Sequence, residues 1–166
     1  ILGYLSMWFV FDVESIGLYG EPFAIGWVLV TEFGLDRHTI HSEGLLAIDP
    51  RVVPGRQEDR DWVTANVPSM EPTHLSQHDM LESFWSTMRA AMQAGARVAA
   101  DVPYPVECNA LALCVSHDIA TRKFQAPYPL FDIASIRAAA GFDPIGTNDR
   151  FLNELPLHQP LADARQ

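Results

Sequence analysis

The 166-residue chain is long enough for one domain with a single hydrophobic core, and its 48% hydrophobic and 19% charged content excludes a disordered protein. Its longest apolar runs, of about 8 to 10 residues, are too short to cross a bilayer, so no membrane partner is expected. The net charge of −10, with Lys123 as the one lysine, argues against tight, extended binding along a nucleic-acid duplex but is compatible with an acidic site that recruits divalent cations.

The N-terminus and the cysteines say little about function. We expect no functional role for residues 1–6, which precede Met7, and no pattern typical of a secretory signal is present. Cys108 and Cys114 lie six residues apart in a predicted helix, so their side chains point to different sides of it. We expect both to be reduced and buried, and we expect the protein to be cytoplasmic.

The first fifty residues have the apolar pattern of three strands. Met7–Glu14 and Phe23–Thr31 are apolar runs, and His38–Ile48 alternates between polar and apolar residues. The short connections between them predict an antiparallel meander. Asp49–Thr73 is rich in proline, glycine and charge and is predicted to be a long irregular loop, which in a compact domain is more often functional than idle.

The rest of the chain alternates helices with short strands. A helix is predicted from Ser76, which forms a capping-box pattern with Asp79, to a stop at Gly95. The later predicted elements are a strand over Arg97–Asp101, a helix over Glu107–His117, a short strand or turn over Tyr128–Asp132, a helix over Ile133–Ala140 and a last helix around Pro160. We therefore predict one α/β domain over residues 1–166, with three antiparallel strands plus parallel strands in a mixed central sheet that is flanked by helices.

Two acids end the first predicted strand. Asp12 and Glu14 are two residues apart, so both side chains project from the same face of the sheet. Carboxylates at the end of a buried apolar segment are costly unless they are paired or bound to metal. Taken alone, however, the pattern is more often an ordinary exposed strand end than a functional site.

Three further candidates come later in the chain. Asp101 ends a strand, and Pro103 prevents immediate continuation of regular structure. His158 and Asp163 flank Pro160, so the histidine can lie in a loop and the aspartate in the first turns of a helix. That arrangement permits the two side chains to converge on one point. Each of these signals is weak by itself.

The order and context of the five residues resemble the motifs of one nuclease family. Phe11–Leu18 (FDVESIGL) is similar to the first motif of the DEDDh-type 3′→5′ exonucleases, Asp-x-Glu-Thr/Ser-x-Gly-Leu. Leu157–Ala164 (LHQPLADA) is similar to the third motif, His-x4-Asp-Ala. The resemblance covers about residues 7–166. It implies a ribonuclease-H-like fold and the removal of nucleotides from the 3′ end of a nucleic acid.

The second motif of the family is matched only loosely. Many relatives have a His-Asn-x-x-Phe-Asp run there, whereas this chain has Ala99–Pro105 (AADVPYP). Asp101 is the candidate by position, because it follows a strand and precedes a helix. Asp132 is its competitor, and we expect Asp132 to be structural.

The resemblance implies a site for two divalent cations, Mg²⁺ or Mn²⁺. Asp12 would bridge the two ions, and Glu14 and Asp163 would complete the first metal site. Asp101 would support the second ion. Hard oxygen ligands of this kind suit both cations.

The resemblance also implies roles in proton transfer and substrate binding. His158 would take the proton from the attacking water, as suits a side chain that titrates near neutrality. The backbone around Ile16, Gly17 and Leu18 would contact the 3′-terminal nucleotide, and Gly17 allows close approach there. Trp62 is predicted either to stack on a base or to pack the long loop against the sheet.

The expected partner is single-stranded or 3′-overhanging nucleic acid. RNA is favoured over DNA by analogy, because small stand-alone members of the family often process RNA ends. Relatives usually continue the helix that carries Asp163 by several turns, so we expect this helix to be cut short after Gln166. A homodimer could support it or shape the substrate groove.

Two other functions are also compatible with the sequence. One is a non-catalytic nucleic-acid or protein-binding module of the same fold, and the other is a phosphohydrolase acting on nucleotides or other small phosphates. His74 and His78 have the spacing of zinc ligands on a helix, but no third ligand is evident, so we expect both to be solvent-exposed.

Overall fold

A five-stranded mixed sheet forms the centre of the fold, in a computed structural model that describes residues 6–32, 38–145 and 150–166. The strands, in the spatial order β3-β2-β1-β4-β5, are β1 (Ser6–Ser15), β2 (Pro22–Glu32), β3 (His38–Ala47), β4 (Arg97–Ala100) and β5 (Phe131–Asp132). β2 pairs antiparallel with β1 and β3, whereas β4 pairs parallel with β1 and β5. The predicted α/β class and mixed sheet are therefore confirmed.

Six helices accompany the sheet. They are α1 (Gln57–Asn66), α2 (Gln77–Gln93), α3 (Val106–His117), α4 (Ile119–Arg122), α5 (Ile133–Ala139) and α6 (Pro160–Arg165), and this count covers the described residues only. The hydroxyl of Ser76 accepts a hydrogen bond from the Asp79 amide at 3.1 Å, so the predicted start of α2 is confirmed. None of the helices in the described ranges is long and apolar enough to cross a membrane.

The prediction of an irregular loop over Asp49–Thr73 is wrong. This segment contains α1 and a 3-10 turn over Pro50–Val52. α1 buries only Val63, so its apolar stripe is too thin to reveal a helix by periodicity. Local polar contacts support it instead, among them a 2.8 Å hydrogen bond from the Gln57 amide group to Asp61, one turn away.

The two faces of β1 serve different purposes. Phe9 and Phe11 point to one face, where their rings lie 6.2 and 5.1 Å from the ring of Phe84 on α2. Because side chains alternate along a strand, Asp12 and Glu14 point to the opposite face. The sheet therefore separates the aromatic core from the candidate site.

The two cysteines differ in their environment. Cys114 is buried and Cys108 is exposed, so the expectation that both are buried is wrong for Cys108. The buried side of α3 consists of Glu107, Ala110, Leu111 and Cys114, which recur at helical spacing. Cys108 lies about 100° around the helix from Glu107 and therefore faces away from the core.

Candidate active site

The predicted first-strand acids lie on one face of the sheet at the wall of a large cavity. Asp12 and Glu14 both line this cavity, whose volume is about 860 Å³. β1 is paired with β2 on one side along its whole length, but its parallel pairing with β4 ends at Val10. The two acids therefore lie where β1 runs beyond its neighbour.

The short helix α6 brings Asp163 to the same cavity. It can approach the sheet because Gly26 on β2 has no side chain: a Cβ there would lie 2.1 Å from the backbone of Pro160 and Leu161. Gly26 is the direct partner of Asp12 across the two strands. The close approach of α6 therefore fixes the position of Asp163 relative to Asp12.

Tertiary contacts hold α6 in place, although a helix of six residues is marginal by itself. The Gln159 side chain caps it by accepting a hydrogen bond from the Ala162 amide at 2.6 Å. Arg165 pairs with Glu43 on β3 through its Nε atom at 2.7 Å. The helix is thus tied both to its own N-terminal residue and to the edge strand of the sheet.

His158 precedes α6 and points toward Glu14. Its Nδ1 atom lies 3.6 Å from Oε1 of Glu14, and its ring meets the ring of Trp62 edge-on at a centroid distance of 5.3 Å. The backbone of His158 has a φ of 59°, in the left-handed region that non-glycine residues rarely adopt. Such strain persists only where the surrounding structure imposes it, which is a common feature of functional sites.

Glu14, His158 and Asp163 together have the geometry of a cation site. One ligand atom from each lies within 4.8 Å of the ligand atoms of the other two. Asp163 also carries an ion pair with Arg150, whose Nη1 atom is 2.5 Å from Oδ1. This arginine is largely buried, lines the cavity and also donates to the Glu154 carbonyl at 2.8 Å, so it fixes the position of the Asp163 carboxylate.

Glu107 is a cavity residue that the sequence analysis did not identify. It lies in the first turn of α3, is 6% exposed, and accepts a hydrogen bond from the Val13 amide at 3.2 Å. Val13 separates Asp12 from Glu14, and its amide faces the side that β4 leaves unpaired. A signal was present in the sequence, because an acid occupies the first position of an otherwise apolar stripe, Glu107, Ala110, Leu111 and Cys114.

Asp101 and Asp132 have different surroundings. Asp101 follows β4 directly and lines the cavity, but it is exposed. Asp132 does not line the cavity: its side chain accepts a hydrogen bond from the Ser135 amide at 3.1 Å and so caps α5. This contact agrees with the structural role expected for Asp132.

The carboxyl groups in the cavity hold their protons tightly. Burial raises the pKa of Asp12 well above its ordinary value, and the charges of Glu107 and Asp163 raise it further. Burial raises the pKa of Glu14 to about 8, with Asp163 as the next largest cause. Burial likewise raises the pKa of Glu107 to about 7, although hydrogen bonds from backbone amides oppose the shift. The cavity therefore gathers several buried carboxyl groups whose ionisation is disfavoured.

Other cavity residues provide apolar and aromatic surface. They include Leu18, Trp62, Tyr104, Ile145 and Leu157. Gly17 also lines the cavity, whereas Ile16 does not: its side chain is buried, and its amide donates to the Glu21 carbonyl at 3.0 Å. A Cβ on Gly17 would lie 2.8 Å from the side chain of Asp59, so the turn after β1 packs closely against α1.

His74, which precedes α2, and His78, which lies within it, have different environments. His78 is exposed, as expected, but the expectation is wrong for His74, which is half-buried. The ring of His74 is held by the hydroxyls of Thr73 and Ser83 at 2.8 and 2.9 Å. These contacts turn it away from any shared site with His78.

Comparison with known proteins adds no relative to this picture. No protein-family model matches the chain, and a search of curated proteins finds no matching sequence.

Proposed function

We propose that this protein is a two-metal 3′→5′ exonuclease of the DEDDh type with a ribonuclease-H-like fold. The observation that carries the proposal is the convergence, in one cavity, of the first-strand acids with His158 and Asp163. These residues come from opposite ends of the chain. Their meeting in one cavity supports the resemblance of the two motifs that contain them.

The donor set fits hard divalent cations such as Mg²⁺ or Mn²⁺, which prefer carboxylate oxygens. Within the described ranges, no arginine, lysine or histidine forms an ion pair with Asp12 or Glu107. Buried carboxylates of this kind are strongly disfavoured as anions unless a cation accompanies them. The residues that would hold two cations are Asp12, Glu14, Glu107 and Asp163.

Glu107 takes the role that the sequence analysis gave to Asp101. It is buried between β1 and α3, and its charge is the largest electrostatic influence on Asp12. Asp101 is exposed at the cavity wall and influences Asp12 least among the four neighbouring acids. We therefore assign Asp101 to the edge of the site, where it can still contribute through water.

The protein's own groups have distinct tasks in the proposed reaction. Bound divalent cations supply activation of a water molecule and stabilisation of the leaving 3′-oxygen. His158 accepts the proton of the attacking water, and its Nδ1 atom lies 3.6 Å from Oε1 of Glu14. Arg150 keeps Asp163 oriented toward the cavity.

The substrate is a single-stranded or 3′-overhanging nucleic acid, with RNA favoured over DNA by analogy. Gly17 and Leu18 would contact the terminal nucleotide, and Trp62 offers an aromatic surface for a base. The net charge of −10 is consistent with a grip on a few terminal nucleotides. A homodimer stays a prediction.

A degradation assay tests the proposal. Matched RNA and DNA oligonucleotides with a 5′ label would be incubated with the protein and Mn²⁺ or Mg²⁺, beside the Asp12→Ala variant. We expect a ladder that shortens one residue at a time from the 3′ end with the unchanged protein only. Equal cleavage by both proteins would reject the proposed site.

Two further outcomes separate the other functions. Release of phosphate from mononucleotides without shortening of oligonucleotides would identify a phosphohydrolase of small substrates. Binding of oligonucleotides without any cleavage, in the presence of either cation, would identify a binding module.

A block at the 3′-hydroxyl would stop an exonuclease but not an internal nuclease.

A further inference from the structure

A second group of metal-ligating side chains lies where α2 meets the end of α3, outside the carboxylate cavity. It consists of His78, Glu82 and His117. His78 and Glu82 are four residues apart on α2 and therefore face the same side of the helix. His117 is the last residue of α3. One ligand atom from each of the three lies within 4.8 Å of the other two.

The contacts within this group are already close. The Nδ1 atom of His117 lies 2.9 Å from Oε1 of Glu82, and the rings of His78 and His117 have a centroid distance of 4.4 Å. Ligand atoms around a tetrahedral zinc ion are roughly 3.3 Å apart, given bond lengths near 2.0–2.1 Å. The pair His117 and Glu82 would have to separate by only a few tenths of an ångström to accept such an ion.

We propose that His78, Glu82 and His117 bind one transition-metal ion of the zinc type. Two imidazoles and one carboxylate form a ligand set that proteins use for zinc when a fourth position is left to water. Imidazole nitrogen selects Zn²⁺, Co²⁺ or Ni²⁺ over Mg²⁺ and Ca²⁺, which prefer oxygen. Because His78 is exposed, the ion would have direct access from solvent.

Arg122 determines how Glu82 can act as a ligand. Its Nη2 atom donates to Oε2 of Glu82 at 2.6 Å, and its Nη1 atom donates to Oε1 at 2.7 Å and to the Cys114 carbonyl at 2.9 Å. A metal ion would take Oε1 and displace one of these contacts, while Oε2 would stay bound to the arginine. Ligating carboxylates are commonly oriented by such a hydrogen bond. The positive charge of Arg122 would also reduce the affinity below that of a site with no such neighbour.

The ion would join α2 to the far end of the helix that carries Glu107. Glu107 and His117 are ten positions apart on α3, which corresponds to about 15 Å along the helix axis. The zinc-type site is therefore distinct from the carboxylate cavity and does not depend on the proposed nuclease activity. Because binding would require the folded arrangement of α2 and α3, the ion would also raise the stability of the protein.

Metal titration of a variant with a disabled carboxylate cavity tests this inference. The full chain carrying Asp12→Asn and Glu14→Gln would be stripped of metal and titrated with Zn²⁺ by calorimetry and with Co²⁺ by visible absorption. We expect one equivalent to bind, with the stronger cobalt bands of a four- or five-coordinate site. A further His78→Ala substitution should weaken Zn²⁺ binding by at least about tenfold.

The matched control is His38→Ala, which removes another exposed histidine, on β3, and should leave the titration unchanged. Absence of binding at one equivalent would overturn the proposal. Binding that His78→Ala leaves unchanged would also overturn it, because the ion would then be held by other residues. His78 is exposed, so its loss should not affect folding, which circular dichroism would check.

A second measurement needs no histidine variant. In the metal-stripped Asp12→Asn, Glu14→Gln protein, paramagnetic Co²⁺ should broaden the ring proton signals of His78 and His117 before those of His38 and His158. Broadening that begins at His158 would overturn the proposal.

Discussion

Gly26 is the direct strand partner of Asp12, and the backbone of Pro160 fills the space where a side chain of Gly26 would stand. A glycine on one strand thereby sets the distance between an acid on the neighbouring strand and the helix that carries Asp163. The proposed metal site depends on this contact, because its ligands lie on both elements.

We expect Gly26→Ala to damage activity more than stability. The new methyl group would lie 2.1 Å from the backbone of α6, so the helix must move away from the sheet. Overpacking of this kind costs about 1–3 kcal/mol, and a 1 Å displacement of a catalytic group can cost on the order of 100-fold in rate. Urea unfolding and the oligonucleotide assay would measure the two effects.

Gly95→Ala is the matched control for this substitution. Gly95 has open space around its Cβ position but a φ of +99°, so alanine there should cost roughly 1–2 kcal/mol through the backbone alone. Its cleavage rate should stay unchanged. If Gly26→Ala were to lose stability to the same extent and keep full activity, the close approach of α6 would not matter to the site.

The strained backbone of His158 determines which substitution isolates its chemistry. Asparagine tolerates the left-handed φ of 59° better than most residues, so His158→Asn should fold with a stability within about 0.5 kcal/mol of the unchanged protein. Without an imidazole to accept the proton, cleavage should slow by about 10²–10⁴-fold. Single-turnover cleavage at saturating Mn²⁺ would measure this loss.

His158→Ala provides the comparison. It removes the same imidazole, but alanine tolerates the left-handed backbone conformation less well than asparagine does. It should show the same loss of rate together with a further loss of stability of roughly 1–2 kcal/mol. Full cleavage by His158→Asn would exclude a role for the imidazole in proton transfer.

Elements with a strong apolar pattern were predictable from the sequence. β1, β2 and α2 place a dense set of apolar side chains in the core, and their periodicity reports this directly. α1 was missed because Val63 is its one buried residue. It packs against the turn after β1 through Asp59, and that contact exists only in the folded protein.

The candidate site was predicted correctly at the residues that a motif contains. It was missed at Glu107, which no motif contains and which only the fold brings to the site. The motifs identified Asp12, Glu14, His158 and Asp163, which line one cavity. Glu107 was missed because the loose second motif directed attention to the acid that directly follows β4. The hydrogen bond between Glu107 and Val13 joins residues 94 positions apart, and no local pattern reports it.

Metal-free protein should become less stable as the pH rises from about 4.5 to about 8. Glu14 has a pKa of about 8 in the folded protein and an ordinary value of 4.5, so the folded state binds more protons over that interval. Below pH 4.5 Glu14 is protonated in both the folded and the unfolded state, and its favourable contribution to the stability is fully present. A tenfold difference in proton affinity between the folded and unfolded states corresponds to about 1.4 kcal/mol, so the total loss is on the order of a few kcal/mol.

Urea unfolding in the presence of a chelator, at pH 5, 6.5 and 8, would measure this loss. Glu14→Gln should flatten the profile and be more stable than the unchanged protein at pH 8, whereas Glu71→Gln, at an exposed position, should not. At pH 8, Mn²⁺ should raise the stability of the unchanged protein more than that of Glu14→Gln. A profile that rises between pH 5 and 8 would contradict the raised pKa of Glu14.

Substitutions of Glu107 and Asp101 distinguish between the two acids that compete for the second metal position. Glu107→Gln keeps an oxygen that can accept the hydrogen bond of the Val13 amide, so the junction of β1 and α3 should stay intact while one carboxylate charge is lost. A residue that only orients a metal ligand typically contributes about 10–100-fold to affinity or activity, so the loss of a direct ligand should cost at least about 100-fold. Asp101→Asn, the matched change at the exposed acid, should cost less than about tenfold, below the range of a residue that orients a metal ligand, because Asp101 lies at the edge of the site.

Cleavage rates measured across a Mn²⁺ titration would rank the two variants. We expect Glu107→Gln to raise the Mn²⁺ concentration needed for half-maximal rate and Asp101→Asn to leave it nearly unchanged. The reverse ranking would return the second metal position to Asp101 and leave Glu107 with the structural task of satisfying the Val13 amide. The burial of Glu107 argues against that reverse ranking. A carboxyl group whose pKa is about 7 would then be kept in the cavity, although the neutral side chain of glutamine could accept the Val13 hydrogen bond as well.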